Sequence, residues 1–353
     1  MDRKILNKIL EAGIQAPSGD NSQPWRFKTR DSGVDIYCEA GADDSYYDFK
    51  NRGSLIANGA AIENIIIAAA EFGYKVNVSL FPDKKYPNLT AHLEFKPGPK
   101  QKNDFYKTIF ARTTNRKEYK KTVLLEAHKK ELQNLAKKYS DFKLILIDDP
   151  EAKQAVAEAL SFNDRFFLED KHTHDNLFSK IHFTAEKADH VRTGFYIKTM
   201  ELNPMAERMM KLFRNWRTLT YFRKLGVAKM ITKTTASLYN TSSAIGVVVM
   251  EGKRDEDFVA AGRFIERLWL TANSLGVAFA PVTAVPYLAS LVTEKSTGTI
   301  SKEHIRDIVT ADKVIREAGG IKNETIAMVF RLGYADKPTA YSNRLPLSKV
   351  TLG

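Results

Sequence analysis

The 353-residue sequence predicts an α+β fold built from two related halves. An internal repeat is the first sign. Ala57-Asn-Gly-Ala-Ala-Ile-Glu-Asn-Ile-Ile-Ile-Ala-Ala-Ala-Glu-Phe-Gly73 aligns without a gap with Ala260-Ala-Gly-Arg-Phe-Ile-Glu-Arg-Leu-Trp-Leu-Thr-Ala-Asn-Ser-Leu-Gly276. The copies agree at Ala57/Ala260, Gly59/Gly262, Ile62/Ile265, Glu63/Glu266, Ala69/Ala272 and Gly73/Gly276. Each reads as a long helix stopped by a glycine, which accepts the left-handed conformation of a helix end. Ile62, Ile65, Ile66, Ala69 and Phe72 recur at helical spacing, as do Ile265, Leu268, Trp269, Ala272 and Leu275, so each copy has an apolar face. The second sign is a strand-like run after each copy. Two unrelated buried helices of similar composition would be the simpler account, but a gapless match with the same sequel favours duplication. The expected architecture is a central mixed or antiparallel sheet flanked by helices, with two long helices at the centre.

The remaining elements follow in order. Residues 3–16 form a helix that stops before Pro17. Ala16-Pro-Ser-Gly-Asp-Asn-Ser-Gln-Pro-Trp25 cannot continue it and makes a fixed loop whose Ser18, Asn21 and Gln23 present hydrogen-bonding groups. Residues 25–30 and 34–39 read as a hairpin across Asp31-Ser-Gly33, and 40–51 as a loop. After the first long helix, 76–81 and 90–95 alternate like strands, and 96–102 is a linker. Then come a short helix at 104–110, a basic helix at 125–138, a strand at 143–147 and a helix at 151–169. Residues 170–203 are less regular. Residues 205–233 alternate basic and bulky apolar side chains. They read as a membrane-surface helix or as a lid or extra helical layer over a pocket, and their globular flanks favour the second. A buried strand at 244–250, the second long helix, a strand at 277–280, a loop at 281–286, a helix at 300–316 and a strand at 325–333 complete the chain before its tail. The halves are expected at 1–100 and 101–353, with a helical lid inserted at about 170–240.

Hydrophobic residues at 43% allow a large core, and the net charge of +12 suggests attraction to anions such as phosphate ligands, nucleic acid or an acidic membrane surface. Basic residues concentrate at 96–107, 129–138 and 208–233. No Arg-Gly repeat or RNA-binding aromatic motif accompanies them, which weakens a nucleic-acid role. The single cysteine, Cys38, suits a reducing compartment, no secretory signal opens the sequence, and the expected location is the cytoplasm. The most apolar stretch, 55–70, reads as too short and too polar to span a membrane. His172, His174, His182 and His190 fit no metal-ligand spacing, so no metal is expected. Glu63 and Glu266, being repeated, read as packing or capping groups.

Several motifs converge on one family. The loop from Ala16 to Trp25 resembles the loop after the first helix of FMN-dependent nitroreductases. Arg112-Thr-Thr-Asn-Arg116 resembles their phosphate and flavin motif. Phe330-Arg-Leu-Gly-Tyr334 with Ser342-Asn-Arg-Leu-Pro346 resembles their last core strand and basic tail, and Gly276-Val-Ala-Phe-Ala-Pro281 completes the pattern. The Pro-Ser loop precedes the arginine motif here, the reverse of the ordinary order. That order resembles the single-chain, tandem (Acg-like) branch, in which a fused chain forms an intramolecular pseudo-dimer.

The resemblance implies one FMN between the halves and NAD(P)H as electron donor. Arg112 and Arg344 would bind the phosphate by charge-assisted hydrogen bonds, with Thr114 as a hydroxyl donor. Arg116 would lie near the flavin ring edge and raise its potential. Ser18, Asn21 and Gln23 would reach the ribityl chain or ring edge from the other half, and Pro281, Val282 and Thr283 would lie along the ring. The cofactor carries the chemistry, so no protein acid or base is expected. The implied function is electron transfer to a small organic acceptor; a flavin-sequestering protein with little reductase activity is the alternative. Nucleic acid and stable membrane insertion are not expected, and the chain would be a monomeric pseudo-dimer or a homodimer.

Overall fold

The computed structural model describes residues 1–31, 33–102 and 104–353; Ser32, in the middle of the expected hairpin turn, lies outside the described residues. The first sheet contains β1 (Trp25–Thr29), β2 (Gly33–Cys38), β3 (Tyr74–Leu80) and β4 (Leu89–Pro97), in the spatial order β1-β2-β4-β3 with every pair antiparallel. The second contains β5 (Phe142–Ile147) and, beyond a short parallel pair β6 (Ile181–His182) and β7 (Phe195–Tyr196), β8 (Ala244–Met250), β9 (Ala278–Pro281) and β10 (Thr325–Gly333). Its order is β5-β8-β10-β9, again all antiparallel. In each sheet a long helix connects the second strand to the third: Arg52–Glu71 in the first, Asp255–Ser274 in the second. The same permutation of strands around the same helix is what a duplicated unit produces. The tail then returns to the first sheet, where β11 (Thr351–Leu352) pairs parallel with β1.

The halves differ in what interrupts them. β1 and β2 are separated by residues 30–32, whereas 148–243 separate β5 from β8. That insertion is helical: Pro150–Glu169, Lys171–Lys180, Ala185–Val191, Pro204–Phe213, Trp216–Lys224 and Val227–Asn240. Residues 170–203 are therefore more regular than their periodicity suggests. Side-chain caps start the two short helices there: Asp170 accepts the Thr173 N–H at 2.8 Å, and Thr184 accepts that of Lys187 at 3.3 Å. The distal helices share a small core that includes Leu168, Phe178, Ile197, Phe213 and Leu219. Likewise only 282–283 of the expected loop at 281–286 lie between strand and helix. A helix runs from Ala284 to Thr293, with Pro286 in its first turn, where its missing N–H costs nothing.

The two central helices pack on each other in the register of the repeat. Ile56 meets Gly262 and Val259 meets Gly59, two contacts that the duplication exchanges. Contacts advance along both helices together, from Arg52 over Phe258 to Glu63 on Arg267, so the two run side by side in one direction. The first is apolar on nearly every face, with Leu55, Ile56, Ile62, Ile65 and Ile67 all buried. By length and composition the helical stretch Tyr46–Glu71 could cross a membrane, contrary to the sequence reading, but its apolar window is 83% buried inside the protein. Only glycine permits this approach: a Cβ on Gly59 would sit 2.0 Å from the Val259 carbonyl oxygen, and one on Gly262 2.0 Å from that of Ile56. Gly59→Ala and Gly262→Ala are each expected to lower stability by about 2–3 kcal/mol through overpacking, read as a fall in the thermal unfolding temperature.

Asp48 fixes the start of the first central helix. It accepts the Ser54 N–H at 2.8 Å and the Ser54 hydroxyl at 2.5 Å. Burial raises its pKa to about 6, against the opposing hydrogen bonds from Ser54. The folded state therefore binds this proton more tightly than the unfolded chain. Its contribution to stability is complete below the ordinary carboxylate pKa and is lost as pH rises through about 6. Asp48→Asn should remove this component, so that wild type loses on the order of 2–3 kcal/mol relative to the variant between pH 4 and 7 in denaturant titrations.

Candidate functional site

The loop after the first helix is held in an uncommon backbone conformation. Asp20, Asn21 and Gln23 all have positive φ, at 50°, 54° and 54°, and the Ser18 hydroxyl accepts the Gln23 N–H at 3.0 Å. Asn21 and Gln23 each grip two distant segments. The Asn21 amide donates to the Arg192 and Asn343 carbonyls, both at 3.1 Å, and its oxygen accepts from Arg344 at 2.9 Å. The Gln23 amide donates to the Arg192 carbonyl at 2.8 Å, and its oxygen accepts the Leu345 N–H at 2.8 Å. Loop, insertion and C-terminal tail thus meet at one point. Lys180 of the insertion adds ion pairs to Asp20 and Asp43, both at 3.1 Å.

Beneath this junction lie two arginines. Arg112 Nε is 3.2 Å from Glu266 Oε1, its guanidinium lies 4.7 Å from the centre of the Trp269 ring, and it donates to the Gln15 carbonyl. Arg344 donates to the same carbonyl at 3.3 Å. Two cations therefore converge where one fully buried carboxylate, Glu266, pairs with Arg112. The electrostatics register the imbalance. Burial, and then repulsion from Arg112, push the Arg344 pKa down to about 9, with Glu266 opposing. Burial also lowers that of Arg112 and raises that of Glu266, each opposed by the other. The Nε of Arg344 is buried without a hydrogen bond, whereas that of Arg112 faces Glu266. A site with surplus positive charge and an unspent donor suits a multivalent anion.

The other expected residues surround this cluster without all joining it. Arg116 donates to the Thr199 carbonyl at 3.2 Å and lies 5.3 Å from the centre of the Phe195 ring, so the insertion holds it. Burial lowers its pKa, against the pull of Tyr239 and Asp20. Thr114 is half-buried between the two arginines of its motif. The Val282 N–H donates to the Val329 carbonyl at 2.8 Å and the Thr283 hydroxyl to the same oxygen at 3.1 Å, next to Pro281 at the end of β9. Asn115 ties the motif to that strand by donating its N–H to the Phe279 carbonyl at 3.0 Å. A cavity of about 180 Å³ opens beside Asn21, walled by the insertion and by tail residues including Tyr341 and Ser342.

Two contributors escaped the sequence reading. Glu266 is the counter-charge of the arginine pair, not only a packing group. Arg331 is 1% exposed, donates to Ser242 Oγ at 3.0 Å and to the Lys117 carbonyl at 3.1 Å, and lies 4.1 Å from the centre of the Tyr119 ring. Among the described residues no carboxylate lies within ion-pair distance of it. Its signal was a lone charge inside the apolar strand 325–333. Glu266→Gln should leave the two arginines uncompensated and cost about 3–5 kcal/mol in denaturant unfolding, with high inorganic phosphate restoring part of the loss.

No family model matches the chain. Among curated proteins, it is 25% identical over 280 residues to an uncharacterized protein of Mycobacterium tuberculosis, MT1398, a match covering 78% of this chain and 38% of that one. It is 29% identical over 93 residues to "Putative NAD(P)H nitroreductase acg" of the same species, covering 26% of this chain and 28% of the relative. The chain thus matches less than two fifths of the length of either relative. Among solved structures, the NfnB nitroreductase of Mycobacterium smegmatis in complex with NADPH aligns at 14% identity and a TM-score of 0.42, over 70% of this chain and 96% of that one. A nitroreductase with bound FMN from Bacteroides fragilis aligns at 13% identity and a TM-score of 0.37, over 69% and 94%. Over about a quarter of its length the chain is thus similar in sequence to proteins named putative NAD(P)H nitroreductases.

Proposed function

We propose that this chain is an FMN-dependent oxidoreductase that passes electrons from NAD(P)H through flavin to a small organic acceptor. The observation that supports this best is the arginine pair at the junction of loop, insertion and tail. Arg112 and Arg344 share one carbonyl, Arg112 alone pairs with the one buried carboxylate, and Arg344 retains a buried Nε donor without a hydrogen bond. A dianionic phosphate would supply the missing negative charge. In this reading Arg112, Arg344 and Thr114 hold the phosphate, Arg116 faces the ring edge, and Pro281, Val282 and Thr283 form the wall beside the ring. Asn21 and Gln23 hold the tail and insertion against the loop, and Ser18 fixes the loop backbone.

Bound flavin would supply hydride acceptance and delivery, and the chain's own groups would orient it and keep water away. The positive charge of Arg116, beneath Phe195, would favour negative charge on the ring edge it faces. We take 1–100 and 101–353 as the two nitroreductase-like halves of a fused pseudo-dimer, with 170–240 as the covering insertion. A cytoplasmic setting fits the buried free Cys38, whose thiol burial pushes up to about 12 and makes inert. The close packing of the insertion on Arg116 favours one other reading, a protein that holds flavin with its reactive face covered.

The test is FMN binding by wild type and by an Arg112→Ala/Arg344→Ala variant, followed by the flavin band retained after desalting, with riboflavin as the phosphate-free control. Wild type should retain FMN and prefer it to riboflavin, and the variant should lose that preference. An unchanged preference would overturn the site. Anaerobic NADPH should bleach the bound flavin; a bound flavin that NADPH leaves oxidised would replace the enzyme reading with the holding one.

A further inference from the structure

The outer face of the insertion carries a pattern that the flavin reading does not use. Residues 204–233 contain eight Lys or Arg and one acid, a large part of the chain's net +12. Their inner side chains, among them Met210, Phe213 and Leu219, pack into the insertion's own core. The outward side chains form a repeating arrangement on three successive helices. On Pro204–Phe213, Met205, Arg208 and Leu212 lie at three- and four-residue spacing on one exposed stripe. On Trp216–Lys224, Arg217, Tyr221 and Lys224 do the same, and Leu225 follows. On Val227–Asn240, Met230 stands between the exposed Lys229 and Lys233.

The apolar members are well exposed: Met205 at 73%, Leu225 at 67% and Tyr221 at 63%. Among the described residues on these stripes and their margins, Lys211 has a carboxylate partner, Glu207 at 3.2 Å; Arg208, Arg214, Arg217, Lys224, Lys229 and Lys233 have none within ion-pair distance. Each helix therefore presents single bulky apolar side chains bracketed by unpaired cations.

We propose that this face docks the protein on the surface of an anionic phospholipid bilayer. Charge complementarity selects the partner. The cations would meet lipid phosphates, while Met205, Leu212, Tyr221, Leu225 and Met230 enter the headgroup–acyl boundary, where long basic side chains can keep their charges in water. A nucleic acid would use the cations but leave the apolar side chains in water. An acidic protein partner would need a continuous apolar centre, which the interleaved charges deny. The association is peripheral, since the apolar stripe of each helix is narrow and the opposite face is packed.

The test is co-sedimentation of the full-length protein with vesicles of phosphatidylcholine alone or with one quarter phosphatidylglycerol. Binding to the anionic vesicles, and little to the neutral ones, is expected. Leu212→Asp/Leu225→Asp should weaken partitioning at least tenfold, and Arg208→Gln/Arg217→Gln/Lys224→Gln by about 100-fold, with circular dichroism and unfolding temperature unchanged because all five side chains are exposed or nearly so. Equal binding to both vesicle types, no binding, or binding that survives the aspartate substitutions would overturn the proposal. So would salt-sensitive binding to RNA or DNA in place of vesicles.

Discussion

Everything in this structure depends on the approach of two helix backbones at Gly59 and Gly262. Neither position has room for a methyl group, because the carbonyl oxygen of the other helix occupies it. That contact joins the helices of the two sheets. Around it the main core is continuous across the halves, from Ile9 and Trp25 to Trp269 and Phe330. The aromatic stack of Trp269, Phe279 and Phe330, with ring centroids 4.5 and 4.2 Å apart, then carries the second central helix onto β9 and β10.

The repeated glutamates show how a symmetric contact became asymmetric. Glu63 is matched by Arg263 and Arg267 on the facing helix. The register of the repeat puts Ala60 and Asn64 opposite Glu266 instead, and neither carries a charge. A fully buried carboxylate without a cation is costly, so a partner has to come from elsewhere. Arg112 supplies it from the second half, and Arg344 approaches from the tail. One side of the pair closes as a structural ion pair, while the other has a charge left over at the candidate site.

The insertion between β5 and β8 adds a second layer to this arrangement. Its inner edge reaches the loop through Lys180, Arg192 and Thr199, and its outer face is basic and apolar by turns. The segment thus contacts the junction on one side and is exposed on the other. The loop beneath it keeps Asp20, Asn21 and Gln23 in left-handed backbone conformations, which the surrounding hydrogen bonds over-determine.

The sequence by itself determined the repeated helix, the loop before β1, and strands β1 to β5 and β8 to β10. These rest on local constraints: a glycine that stops each long helix, apolar residues at a fixed period, and a run too rich in proline and polar groups to be helical. Most segments from 25–39 to 325–333 were legible on those grounds. The helices within 170–203 were less so, because their beginnings depend on single capping side chains and not on periodicity. Only the tertiary structure decided that the tail crosses to pair β11 with β1, that Asn21 and Gln23 bind residues 343–345, and that Glu266 answers Arg112. Those partners lie far apart along the chain, and a residue's own pattern carries no record of which distant group will be brought against it. That choice belongs to the packing of the two helices and of the elements that fold over them.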